Sequence, residues 1–194
     1  MTCIVGVTDG ENVVIGGDSA GSSPEGNELY NLRNEKVFSQ GEYLIGYCAS
    51  YRGGQIARWQ VEWPAPPPPG TDLEAFLVRE VVPALRSAFT QGGLDKPAQF
   101  LIGLRGRLFS IGGDWSAAEL AENWIAIGSG RHIAYGALHA LATTTIPTEE
   151  KVRLALAAAQ RYTSNVREPF LVLATKTANA SANASADASA DAAG

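Results

Sequence analysis

A chain of 194 residues, 45% of them hydrophobic and 18% charged, is long enough to bury one substantial core and short for two. Its 15 Lys and Arg against 20 Asp and Glu leave a formal charge of −5, and the basic residues are scattered without aromatic interleaving, which argues against a nucleic-acid partner. Cys3 and Cys48 make neither a CxxC nor a disulfide framework, no basic-then-apolar leader opens the chain, and no apolar run reaches the roughly 18 residues that span a bilayer, so a cytoplasmic protein without membrane contact is expected.

The chain opens "MTCIVGVTDG". Removal of Met1, usual before a small residue, would leave Thr2 with a hydroxyl and a free α-amine, a nucleophile and a base on one residue. On its own a Thr after the initiator carries little weight, because most such residues only begin a strand or a tail. Residues 2–7 and 12–18 ("NVVIGGD") are β-branched and apolar around the turn "TDGE", which predicts a hairpin whose second strand brings Asp18 back toward Thr2. The Gly, Ser and Pro of 19–28 predict a loop, and 35–50 a second strand pair turning at Gly41-Glu42.

The period then changes. Residues 51–63 predict a helix, "PAPPPPG" at 64–70 a stiff connector, and the stretch from Thr71 a second helix with a Thr71–Glu74 capping box and a stop at Gly92-Gly93. Strands are predicted at 99–113, hinged at Arg105-Gly106, and at 123–130. Two more helices follow at 131–143 and 147–164, the second opened by Pro147, and a last strand at 169–175. From 178 to 194 Ala alternates with Asn, Ser or Asp and has nothing large to bury, so a domain at 1–175 with a disordered tail at 176–194 is expected.

Strands, two helices, strands, two helices and a strand predict an α+β fold, a four-layer αββα sandwich of two antiparallel sheets between helical layers. The words "TCIVGVTDGENVVIGGDS", "NEKVF" (34–38), "LIGYCAS" (44–50) and "WIAIGSGRHIAYGAL" (124–138), in that order, extend this to a family resemblance. The chain resembles the proteasome β-subunit family of N-terminal nucleophile hydrolases, most closely the bacterial peptidase subunit that works with an AAA+ unfoldase.

The resemblance implies roles at five positions. Thr2 would be the nucleophile and form an acyl-enzyme, and Lys36 would lower the proton affinity of its hydroxyl and amine. Asp18 would hold the charge of Lys36, Gly46 would offer its backbone N–H to the oxyanion, and Ser129 would orient the amine. Read locally, Asp18 is also a turn aspartate, Lys36 a strand-edge lysine, Gly46 a strand glycine, and Ser129 an N-cap for the helix that follows.

The sequence departs from the family at Ala20, where an arginine is usual, and after the last long helix, where Tyr162 and Asn165 stand for an aspartate and a serine. No bound metal or cofactor is expected: His132 and His139 would share a helix face without a third ligand. Cys3 and Cys48 lack a Cys/His pattern and read as structural thiols. By resemblance, the substrate would be unfolded polypeptide, the assembly a homo-oligomeric ring, and a possible partner an AAA+ unfoldase. The pocket beside the site would draw on residues near Gly21, Ile45 and Cys48. A catalytically inactive shell subunit and an amidohydrolase acting on a small amide remain open.

Overall fold

The computed structural model describes residues 2–22, 28–33, 35–94 and 98–175; the tail expected to be disordered lies outside them. Strands β1 (Cys3–Thr8) and β2 (Val13–Gly17) form the predicted hairpin. Its turn is held by Asp9 Oδ1, which accepts from the N–H groups of Glu11 (2.9 Å) and Asn12 (2.7 Å). The stretch 19–28, expected to be all loop, instead opens with β3 (Ala20–Ser22), which pairs with β4 (Leu29–Asn31) just beyond it in a short ribbon. Neither strand is long enough to show alternation, so nothing in their sequence announces them.

The second pair, β5 (Val37–Gln40) and β6 (Tyr43–Cys48), turns at Gly41, whose φ is 57°. Helix α1 (Tyr51–Trp59) is capped by Ser50, whose side chain accepts from Gly53 N–H at 3.0 Å. It stops four residues short of the predicted end, and Trp63 then donates from Nε1 back to Ala57 O at 2.8 Å. The proline segment that follows is strapped to the sheet through Tyr43 Oη, which donates to Pro64 O at 2.8 Å.

Its exit opens α2 (Leu73–Phe76), and here the cap is Asp72 rather than Thr71. The Asp72 carboxylate accepts from Glu74 and Ala75 N–H, while the Thr71 hydroxyl donates back to Pro68 O. A π turn, Leu77–Val81, separates α2 from α3 (Val82–Gln91). Pro83 has no N–H to offer the carbonyl four residues back, and Val82 N–H reaches five back, to Leu77 O.

The remaining elements are β7 (Gln99–Leu104), β8 (Arg107–Ile111), an unforeseen edge strand β9 (Ala117–Glu119), β10 (Trp124–Gly128), α4 (Arg131–Leu141), α5 (Thr148–Tyr162) and β11 (Leu171–Ala174). One sheet runs β10-β1-β2-β11 and the other β5-β6-β7-β8-β9, both antiparallel. These are the two inner layers of the expected αββα sandwich.

Three apolar layers glue it together. Cys3, Val5 and Val7 of β1 pack under Leu138, Val152 and Leu156 of α4 and α5, whereas Ile4, Ile15, Leu44 and Leu101 meet between the sheets. On the far side Ile45, Phe100 and Ile102 lie under Ile56, Leu85 and Phe89 of α1 and α3. Strand β1 is therefore buried on both faces, which explains its unbroken apolar run. Between the sheets, Gly46 leaves room for Ile4: a Cβ there would sit 2.5 Å from Ile4 Cγ2. Gly46→Ala is expected to lower stability by about 1–3 kcal/mol through overpacking, read as a lower urea midpoint at unchanged slope.

Candidate active site

The sheet register brings four chain segments to one end of the sandwich. Thr2 precedes β1, Asp18 follows β2, Lys36 precedes β5 and Ser129 follows β10. Cys3 pairs with Gly128 and Ile4 with Gly17, so the start of β1 lies between the ends of its two neighbours. Gly128, at φ 91°, makes the bend that turns Ser129 toward Thr2; a Cβ there would collide with Thr2 O.

The peptide unit after Thr2 is clamped at both ends. Its N–H, on Cys3, donates to Asp18 Oδ1 at 2.8 Å, and its carbonyl accepts from Gly130 N–H and from the Ser129 hydroxyl, each at 3.3 Å. Thr2 N itself donates to Ser129 Oγ at 3.2 Å. Ser129 is thus engaged with Thr2 through both roles of its hydroxyl, and the N-cap of α4 is Gly130, without a side-chain hydrogen bond. The local reading of Ser129 as a cap is set aside by this geometry.

Thr2, Asp18 and Lys36 are the buried polar and charged residues among those described, at 7%, 3% and 2% exposure. Lys36 Nζ donates to both oxygens of Asp18 at 3.0 Å, and Asp18 Oδ2 also accepts from Ala20 N–H at 2.9 Å. Burial holds the Lys36 ammonium below the ordinary lysine range, and the adjacent carboxylate works against that shift. The result is a desolvated cation whose counter-ion also binds the peptide that carries Thr2.

Gly46 is not brought into this cluster. Tyr47 N–H donates to Lys36 O at 3.0 Å, and strand alternation turns Gly46 the other way, toward its partner Leu101 on β7. Its N–H is spent inside the sheet, and its small size serves the contact with Ile4. Three residues on, Ala49 has φ 77° and bends the chain out of β6 into α1, at the end of the sheet where Lys36 lies. Ser50 N–H at that bend has no hydrogen-bond partner among the described residues. No side-chain signal marks such a donor, because every residue but proline carries one.

The segment after α5 supplies no acid to Ser129. Tyr162 is 74% exposed, and the residue that packs against Cys3 beside Gly130 is Val166. Among the described residues no group of three or more His, Cys, Asp or Glu could hold a metal ion, and His132 and His139 are exposed on α4. Burial pushes the Cys3 thiol up to about 12 and the Cys48 thiol up to about 11, so neither offers a thiolate near neutral pH.

No family model matches the chain, and no curated protein matches it in sequence. Its fold is shared with solved structures. BPH from Thiobacillus denitrificans, in complex with epoxomicin, superposes with a TM-score of 0.75 at 18% identity, over 91% of this chain and 100% of its own. HslV from Trypanosoma brucei gives 0.64 at 20% identity over 89% and 98%, and Anbu from Pseudomonas aeruginosa, solved as a helical assembly, 0.63 at 16% over 90% and 80%. The chain therefore has the fold of the proteasome-like N-terminal nucleophile hydrolases. At such identities the likeness speaks for the fold alone, and the activity has to be argued from the site.

Two outcomes are expected. Asp18→Asn keeps the shape but strips Lys36 of its counter-ion, and should cost on the order of 3–5 kcal/mol in chemical denaturation. Because both thiols hold their protons longer folded than unfolded, they leave stability unchanged below about pH 8.5; stability then falls as the pH rises toward about 11 to 12. Melting midpoints across pH 7–11 check this, with Cys3→Ala/Cys48→Ala expected to flatten the decline.

Proposed function

We propose that the chain is a threonine-type endopeptidase of a self-compartmentalised, proteasome-like assembly, acting on unfolded polypeptide through the N-terminus freed when Met1 is removed. The observation that carries this reading is the shared carboxylate of Asp18, which binds the Lys36 ammonium and the Thr2–Cys3 peptide at once. A buried cation is costly and is placed here beside the one residue that can combine a hydroxyl with a terminal amine.

In the proposed reaction Thr2 Oγ attacks the peptide carbonyl while its proton passes to the Thr2 α-amine, directly or through a water. The positive field of Lys36 lowers the proton affinity of both groups, so the hydroxyl is more acidic and the amine is free near neutral pH. The oxyanion is stabilised by Ser50 N–H at the β6–α1 bend rather than by Gly46. Collapse returns the proton to the departing amine and leaves an ester on Thr2; water then adds by the same route, releasing the acid and restoring the hydroxyl. Ser129 holds the amine against rotation throughout.

Residues 1–175 form the peptidase domain on this reading, and 176–194 a tail outside it. The helical assembly of Anbu supports an oligomer, which the family resemblance makes a homo-oligomeric ring, and an ATP-driven unfoldase on another chain would deliver substrate, since the sequence has no P-loop pattern.

Intact-mass measurement tests the first requirement: the mature chain should lack Met1, and a chain that keeps it has no terminal threonine amine and refutes the peptidase reading. A peptide epoxyketone needs both hydroxyl and amine, and should add to Thr2 in the native protein and not in Thr2→Ala. Lys36→Ala should abolish casein hydrolysis while leaving the assembly's elution volume unchanged; full turnover would mean that Lys36 has no part in it.

A further inference from the structure

Tyr51, the first residue of α1, reaches from the β6–α1 bend to the start of β3. Its hydroxyl donates to Ala20 O at 2.8 Å, and the N–H of the same Ala20 donates to Asp18 Oδ2. Strand alternation explains why both groups are available. Leu32 N–H donates to Ser19 O at 2.9 Å, so Ala20 turns its own N–H and C=O away from β4, onto the outer edge of β3. Asp18 takes one and Tyr51 the other. The first residue of β3 is thus tied to the catalytic ion pair on one side and to the β6–α1 bend on the other.

One of those segments follows Asp18, whose carboxylate holds the Thr2–Cys3 peptide, and the other carries the Ser50 N–H, so the Tyr51 side chain spans from one to the other. It is half-buried against the layer under α1 and α3, so it cannot swing out without giving up that packing. The surroundings are crowded with rings facing small residues. Tyr30 lies over Gly21, where a Cβ would sit 2.5 Å from its ring, and Tyr47 lies against Gly54, where a Cβ would collide with it. Burial raises the Tyr51 phenol, helped by Tyr47, Asp18 and Tyr30, so it stays a neutral donor to Ala20.

We propose that Tyr51 is the specificity-determining residue of this cleft: its ring walls the slot beside Thr2 and restricts the substrate residue that supplies the attacked carbonyl to small side chains. The inference rests on the peptidase reading and adds the substrate class to it. A residue with Ala or Gly at that position lies against the ring without displacing it, whereas Leu or Phe must break the Tyr51–Ala20 bond or its packing. One or two methylenes of misfit are worth about 10- to 200-fold in discrimination.

The test compares rates of Thr2 modification by two peptide epoxyketones that differ only in the residue next to the warhead, Ala or Phe, followed by intact mass. Native protein should react faster with the Ala probe, and Tyr51→Ala should raise the Phe-to-Ala rate ratio at least about tenfold. Tyr51→Leu, which keeps apolar bulk at the start of α1 but cannot reach Ala20, should move the ratio the same way and serves if the alanine variant does not fold. Tyr51→Phe keeps the ring and should keep the order of the two probes. An unchanged ratio in the folded alanine or leucine variant, or a native preference for the Phe probe, overturns the inference while leaving the peptidase reading intact. Failure of both probes to modify Thr2 in native protein overturns the peptidase reading and this inference with it.

Discussion

The Asp18 carboxylate is the contact on which the rest of the site depends. Two oxygens offer about four acceptor positions, and all four are taken, by Lys36 twice, by Cys3 N–H and by Ala20 N–H. Complete satisfaction is what allows an ammonium and a carboxylate with side-chain exposures of 1% and 0% to persist in an apolar interior. The same bonds fix the start of β1 and of β3. Charge neutralisation and the positioning of Thr2 are one set of hydrogen bonds.

That arrangement needs the sandwich around it. Ile4, Ile15, Val37 and Leu44 close the space between the sheets just below the pair, and water kept out there would otherwise screen the field of Lys36 at Thr2. The antiparallel register does the rest, because adjacent strands running in opposite directions bring the N-terminus of β1 beside the C-terminal ends of β2 and β10. The end of the molecule that carries the Asp18–Lys36 pair is where strands of one sheet finish and β5 of the other begins. The opposite end carries the hairpin turns at Asp9–Asn12, Gly41 and Arg105-Gly106.

Much of this was legible in the residues. The β-branched runs and the turn "TDGE" give the first hairpin and bring Asp18 toward Thr2 by strand length alone, and the element order gives the layered fold. What escaped was set by features without a periodic signature. The ribbon β3–β4 is three residues a side, the π turn depends on a missing N–H at Pro83, and Asp72 outcompetes Thr71 for the cap by reaching two amides. Gly46 was misplaced for an instructive reason. A glycine in a strand signals close approach, and here the approaching group is Ile4 rather than a substrate, while an oxyanion donor is a backbone group that any residue at a suitable bend can present.

On the peptidase reading, Ser129 bears on how the site stays silent until Met1 is removed. A hydroxyl has one proton, and here it goes to Thr2 O, so toward Thr2 N the Ser129 oxygen acts as acceptor. That bond asks only for an N–H, which an amide with Met1 still attached and a free amine both provide. Cleavage of the Met1–Thr2 bond would therefore leave this bond to Ser129 in place while changing the basicity of the nitrogen. An amide lone pair is delocalised into its carbonyl and takes no proton from Thr2 Oγ, whereas an amine held by one N–H to Ser129 keeps its lone pair free for the hydroxyl. On the peptidase reading the chain can fold its site first and become reactive afterwards, with a single bond as the switch.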